Sequence, residues 1–324
     1  MNSLERIQAA VRFQPVDRIP VVGQVFGHAA VLSGVPLADY LRNGELLARC
    51  QLHALGYYGY DAVFALMDVN VEAEATGSEL TFRDNQYPFV HNYVLPKTGS
   101  AGMLKFPEPR KNGRMPELLK AAEIMREELG DTVLVAGCVT GPMTLTAQLM
   151  GMENALYAAA DDPDRFAALL DFSAEAAIRF GRVQLESGVH LPVVFNPAAS
   201  PAVIPPKFFR EFELPRLKRM FTAFTEAGAV ANWLHITGPT EPILKYYPPS
   251  GANIANIDYP VEIKRAKELL PETCINGNIK PLQFVEASEE NISKTASKVL
   301  NCVAERTGFI LSPGCEIPPE GRPV

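Results

Sequence analysis

The sequence predicts an α/β fold, a (β/α)8 TIM barrel with a β-hairpin insert after its second strand. Three observations predict it. Short β-rich apolar runs recur eight times along the 324 residues, helix-like stretches fill the seven gaps between them, and one gap is far longer than a crossover requires. A parallel strand pair needs a long, usually helical, connection, so strand–helix alternation implies a parallel sheet. Eight such units suffice to close a barrel. The competing architecture is an open doubly wound sheet. No G-x-G-x-x-G follows the first run, which counts against the dinucleotide-binding form of that alternative.

The first run is IPVVGQV (19–25). DAVFALM (61–67) follows the helical LADYLRNGELLARCQLHAL, and TVLVAGCV (132–139) follows MPELLKAAEIMREEL. HLPVVFN (190–196) comes after a long helical region from about 142 to 186, broken near the DDPD at 161–164. VANWLHI (230–236) follows PKFFREFELPRLKRMFTAFTEAG, and ANIANID (252–258) follows PTEPILKYY. TCINGNI (273–279) follows VEIKRAKELL, and GFILSPG (308–314) follows SEENISKTASKVLNCVAER. An eighth helix is not visible in the closing EIPPEGRPV. Residues 69–113 are too long for a crossover and read as an inserted hairpin or small sheet. The insert follows the second strand and so falls on the catalytic face, as a lid, a binding surface or a decoration. One barrel domain spanning 1–324 is the expected organisation.

Barrel chemistry sits where the strands end, because the βα loops converge there. The second run ends at Asp68, with Glu72 beyond, and the third ends in Thr140-Gly141-Pro142. The fourth ends at Asn196, the fifth at His235 with Thr237 two residues on, and the sixth at Asp258. The seventh carries Asn276 and Asn278, and the eighth runs into Cys315 and Glu316. One polar residue at a barrel mouth means little, but this many in one ring point to an active site. His190 starts the fourth strand, on the opposite face. His28 follows the first strand and is close enough to reach the mouth. His53 on a helix and His91 in the insert read as structural or solvated. Cys138 and Cys274 fall inside strands and Cys50 and Cys302 on helices, all as ordinary packing residues.

Composition bounds the partners. The net charge is −7 with 21% charged residues and no Lys/Arg-rich run, so no basic surface invites nucleic acid. No apolar stretch is long enough to span a membrane, and MNSLERIQAAVRF lacks a signal-peptide core. Five cysteines without regular spacing do not make a disulfide framework, so a reducing cytoplasm is expected.

An ordered set of motifs spans nearly the whole chain: DRIPVV, DVNVEAEATGSEL, TGPMTLTAQLMG, HITGPTEPIL, NGNIKP and GFILSPGCEIPP. Together they resemble the uroporphyrinogen decarboxylase superfamily, and within it the corrinoid-dependent methyltransferase branch. The resemblance implies a (β/α)8 barrel that moves a methyl group from a methylcobalamin-type corrinoid, carried on a small partner protein, to a small-molecule acceptor. The decarboxylase itself fits poorly. The resemblance would place an arginine-rich segment after the first strand to hold a tetracarboxylate, and VFGHAAVLSGVP there holds no arginine. In thiol-methylating members, the resemblance implies zinc bound by a His-x-Cys motif after the fifth strand and by the Cys after the eighth. His235 and Cys315 match, and Thr237 stands where the first Cys belongs.

A thiol is a weak nucleophile until it is deprotonated, which zinc promotes. A catalytic zinc site uses three protein ligands and one open position, and threonine is a neutral, weak ligand. The expectation is therefore no zinc, and an acceptor that needs none. N5 of tetrahydrofolate is neutral and carries a lone pair, so orientation alone suffices. Asn196 and Asn278, with Thr237 and Glu72, are the expected substrate-binding residues, able to pair with a pterin edge. Asp68, His235 and Asp258 are the expected catalytic residues. Two alternatives stand beside this reading: zinc-dependent transfer to a thiol of the coenzyme M type, with His235 and Cys315 as ligands, and a non-catalytic barrel that only docks a corrinoid protein.

Overall fold

A computed structural model describes residues 1–303 and 307–321. Nine strands are present among them: β1 (Ala62–Phe64), β2 (Glu79–Arg83), β3 (Gln86–Asn92), β4 (Leu134–Thr140), β5 (Leu191–Phe195), β6 (Trp233–His235), β7 (Ile254–Asn256), β8 (Cys274–Ile279) and β9 (Phe309–Pro313). Seven form one parallel sheet in the order β1-β4-β5-β6-β7-β8-β9. The alternation in sequence is thus an alternation in space, each strand lying beside its successor.

The register explains the level of the site. Thr140 pairs with Phe195, and Phe195 pairs with His235, so the ends of β4, β5 and β6 lie in one plane. Inside the sheet, alternate residues form a closed apolar core. Phe64, Leu66, Ala136, Cys138, Val193, Phe195, Trp233, Ile254, Cys274 and Ile310 are all buried there. This layering of alternate strand residues fills a small barrel. A second, larger cluster lies between the sheet and the helices. Burying a large apolar side chain contributes about 1.5–3 kcal/mol. The strands are covered on both faces, which is why their sequences read as unbroken apolar runs rather than as alternation.

The segment 19–25 differs from expectation. It is not a full strand: Val21 makes one isolated parallel bridge, to Leu311. The physical reason is local. Pro20 has no N–H, and Gln24 sits at φ +44°, outside the extended region. The Val21 N–H donates to the Asp61 carboxylate at 2.8 Å instead of to a strand. Backbone bonds nevertheless join it on both sides, from Asp61 N to Val21 O at 2.7 Å and from Val22 N to Leu311 O at 2.9 Å. The barrel closes through these few bonds. Asp61, fully buried, also holds Arg6 at 2.7 Å and Arg18 at 2.7 Å, which ties the N-terminal helix Ser3–Val11 to the closure.

The long connection contains the expected hairpin. β2 and β3 pair antiparallel as a separate two-stranded sheet, preceded by the helix Val71–Thr76. The helical region after β4 breaks twice, at Gly151 and at Asp162, giving Pro142–Met150, Met152–Asp161 and Pro163–Glu186. Among the described residues no helix follows β9, and residues 322–324 lie outside them. No helix among the described residues is long and apolar enough to cross a membrane.

Candidate active site

One cavity of about 330 Å³ opens at the ends of the strands, and Asp68, Asn70, Tyr87, His235, Thr237, Cys315 and Glu316 line it together with Phe26, Phe195 and other apolar side chains. Four of the sequence-derived candidates, Asp68, His235, Thr237 and Cys315, therefore meet in one place, as does Glu316.

His235 ends β6 and is only 3% exposed. Its ring packs against Phe195, with centroids 4.4 Å apart. Burial pushes its pKa down to about 3, with no hydrogen bond contributing, so the imidazole is neutral. With no hydrogen-bond partner among the described residues, the neutral ring keeps a lone pair and an N–H for whatever enters the cavity. The Cys315 thiol is pushed up to about 12, mainly by burial, and stays protonated at neutral pH.

Glu316 connects three parts of the mouth. Its Oε1 accepts from the Gly27 N–H at 3.0 Å and, through a short hydrogen bond, from the Tyr87 hydroxyl of the hairpin. Burial raises its carboxyl to about 7. Asp68 is committed too. Its Oδ2 pairs with Arg114 Nη1 at 2.5 Å, and its Oδ1 accepts from Asn70 N at 2.8 Å. Arg114 is itself saturated by Glu74 at 2.6 Å and by the Leu41 carbonyl at 2.9 Å.

The other candidates are placed elsewhere, which corrects the expected pterin-pairing edge. Asn196 is fully buried; its Oδ1 accepts from Thr144 N and Thr144 Oγ1, and its Nδ2 donates to Glu213. Asn278 donates to the Val261 carbonyl at 2.7 Å. Asp258 accepts from the Gly238 and Tyr259 N–H groups, each at 2.7 Å. Glu72 accepts from Thr140 N at 2.6 Å and Thr140 Oγ1 at 2.9 Å, and burial raises its carboxyl to about 7. None of the four lines the cavity. The physical reason is shared: loops leaving strand ends carry unpaired backbone groups, and these side chains satisfy them. His28 does not reach the cavity either, since its ring pairs with the Tyr58 hydroxyl at 2.8 Å. His190 accepts from Val135 N at the opposite end, His53 pairs with Ser33, and His91 lies exposed on the hairpin.

Sequence reasoning missed Tyr87 and Arg114. Tyr87 lies in the insert and reaches Glu316 across 229 positions, which no local pattern encodes. Arg114 follows the insert, and its one signal was a lone Arg just before a helix.

The donor set does not fit the zinc centre that the resemblance implies. His235 and Cys315 share the cavity, but the third position is Thr237, whose hydroxyl is neutral. Among the described residues, no group of three or more His, Cys, Asp or Glu side chains is arranged to hold a metal.

Gly141 couples the fold to the mouth. A Cβ there would lie 2.3 Å from Asn196 Cγ, so Gly141→Ala must displace the amide that anchors the loop after β5. Overpacking of this kind costs about 1–3 kcal/mol. Urea unfolding should show a midpoint lowered accordingly, and an unchanged midpoint would mean that the Asn196 anchor yields freely.

Comparison with known proteins agrees with this frame. The family model described as uroporphyrinogen decarboxylase (URO-D) matches residues 2–324. The methylcobamide:CoM methyltransferase MtbA of Methanosarcina acetivorans is 28% identical over 97% of this chain and 92% of its own length. The uroporphyrinogen decarboxylase of an Anaeromyxobacter species is 26% identical over 98% of this chain and 94% of its own. A solved methyltransferase from Methanosarcina mazei superposes with a TM-score of 0.91 at 26% identity, covering all of this chain and 95% of that one. The motifs, the barrel and the match over 2–324 agree, and the chain belongs to the uroporphyrinogen decarboxylase family.

Proposed function

We propose that the protein is a corrinoid-dependent methyltransferase, moving a methyl group from a methylcorrinoid carried by a partner protein to a small acceptor held in the cavity beside His235. The observation that carries this is the neutral imidazole, without a hydrogen-bond partner among the described residues, in a cavity of about 330 Å³, a size suited to a small molecule. The names of the methyltransferase relatives make a small thiol of the coenzyme M class the first choice of acceptor. Decarboxylation of a tetracarboxylate is disfavoured: among the described residues no Lys or Arg lines the cavity, Asp68 and Glu316 do, and Arg114 is already paired with two carboxylates.

The chemistry asked of the chain is modest. A docked methylcorrinoid would supply an electrophilic methyl group: the acceptor's lone pair would bond to that carbon in line as the cobalt–carbon bond breaks, its electron pair leaving with the corrinoid. The apolar walls formed by Phe26, Phe195 and Leu66 exclude water from the acceptor, and His235 orients it by one hydrogen bond.

Tetrahydrofolate is the second reading. The comparisons lend it no support, and the amides expected to pair with its ring are occupied. What favours it is the missing third ligand, since an amine needs no metal to become nucleophilic.

The two readings differ in their pH dependence. A thiol attacking without a metal must first ionise, so its rate should climb about tenfold per pH unit until its own pKa, about 8.5. His235, at about 3, adds no inflection above pH 5. A tetrahydrofolate amine is already neutral, so its rate should be flat from pH 6 to 8. The test is loss of methylcobalamin absorbance with 2-mercaptoethanesulfonate or with tetrahydrofolate as acceptor. Turnover of neither, with intact fold, would sink the methyl-transfer reading.

A further inference from the structure

We propose that the cavity holds its acceptor without a resident metal, and that residue 237 alone withholds the metal: Thr237→Cys turns the same cavity into a zinc centre. For its functional meaning this rests on the methyl-transfer reading, but its test does not.

Two donors are in place. His235 and Cys315 line the same cavity, the Cys315 thiol is in no disulfide, and no hydrogen bond engages the His235 ring among the described residues. The structure shows why no neighbour completes the set. Asp68 spends both oxygens on Arg114 and the Asn70 N–H. Glu316 is turned to Gly27 and Tyr87. Asp258 lies outside the cavity wall, with both oxygens on backbone amides. Asp68 and Asp258 could become ligands only by abandoning bonds already made, while Glu316 is held through Oε1 and belongs to no group of three ligating side chains among the described residues. With the Asn70 amide and the Tyr87 hydroxyl hydrogen-bonded elsewhere, Thr237 is the donor left on the wall among the described residues, and its neutral hydroxyl binds zinc weakly.

Threonine and cysteine have similar size, so Thr237→Cys places a sulfur near where Oγ1 now lies. One imidazole and two thiolates make a normal N/S set for zinc, with the fourth position open. The cavity therefore lacks one atom type at one position, rather than a whole site.

The experiment uses the full-length protein as wild type, Thr237→Ser, Thr237→Cys and the Thr237→Cys/Cys315→Ser double variant. Each is equilibrated with excess Zn²⁺, desalted and assayed for metal by mass spectrometry. Circular dichroism checks the fold, and Co²⁺ in place of Zn²⁺ reports thiolate ligation by its charge-transfer absorption. Wild type, Thr237→Ser and the double variant should retain no stoichiometric zinc. Thr237→Cys should retain about one per chain, with affinity raised at least about 100-fold. If Thr237→Cys fails to fold, Thr237→Asp supplies a charged ligand at the same position and should behave likewise. One zinc per wild-type chain, lost on Cys315→Ser, would overturn the inference, because a neighbour would then complete the set. Folded variants at 237 that take up no zinc would overturn it too, because the geometry and not the atom would be at fault. Absence of methyl transfer by a zinc-free wild type would instead remove the functional reading and leave this inference standing.

Discussion

Arg114→Met should destabilise the protein by about 3–5 kcal/mol, the cost of breaking a buried ion pair from one side. The Arg114 side chain is 7% exposed and that of Asp68 4%, so water cannot replace the lost cation. Removing the guanidinium strands the Asp68 carboxylate with one remaining donor, the Asn70 N–H, and also frees Glu74 and the Leu41 carbonyl. Arg114→Lys should fall between, because an ammonium cannot reach three acceptors in the plane that a guanidinium spans. Guanidinium unfolding monitored by Trp233 fluorescence reads the change. Adding Asp68→Asn to Arg114→Met should recover part of the loss by removing the stranded charge. A loss below about 1 kcal/mol would mean that Asp68 reaches solvent, contrary to the packing. The same pair fixes the start of the insert and one wall of the cavity, so Arg114→Met should also raise the KM for the acceptor.

The barrel was legible because its strands are buried on both faces, which leaves unbroken apolar runs between helical stretches. Its seam was not. IPVVGQV has the composition of a strand, but Pro20 and the turn at Gln24 reduce it to one bridge, with Asp61 supplying the acceptor that a strand would. The site was legible in part for a similar reason. His235 stood out because an imidazole at the end of WLH needs a polar reason to be there, and no hydrogen bond engages its ring among the described residues. Asn196, Asp258 and Asn278 looked alike in sequence, since a side chain that satisfies a loop and one that faces a ligand are the same residue types. Only the partners tell them apart: Thr144 and Glu213, two loop amides, and the Val261 carbonyl. Tyr87 and Arg114 act across long sequence separations, where periodicity carries no information.

His235→Ala should lower methyl transfer about 100-fold while leaving the fold intact, about 2.7 kcal/mol of lost transition-state stabilisation. On the proposed reading the side chain gives the acceptor one hydrogen bond in a largely apolar cavity, and removal of such a donor costs about 1–3 kcal/mol. The remaining contact is packing on Phe195, at 4.4 Å between centroids, so some loss of stability accompanies it. His235→Gln separates two roles that alanine confuses. If the ring works by hydrogen bonding alone, the glutamine amide donates and accepts as well, and activity should return to within about tenfold of wild type. If the ring instead binds a metal, glutamine is a poor substitute for imidazole, and activity and metal content should fall together. The kinetic split adds a second check. An orienting hydrogen bond made mainly in the transition state lowers kcat more than it raises KM, whereas a ground-state contact does the reverse. A neutral ring also predicts that the His235→Gln profile keeps the wild-type shape between pH 5 and 8, because the residue replaced does not titrate in that range. A change of shape there would mean that the imidazole gains a proton once the acceptor or the corrinoid closes the mouth.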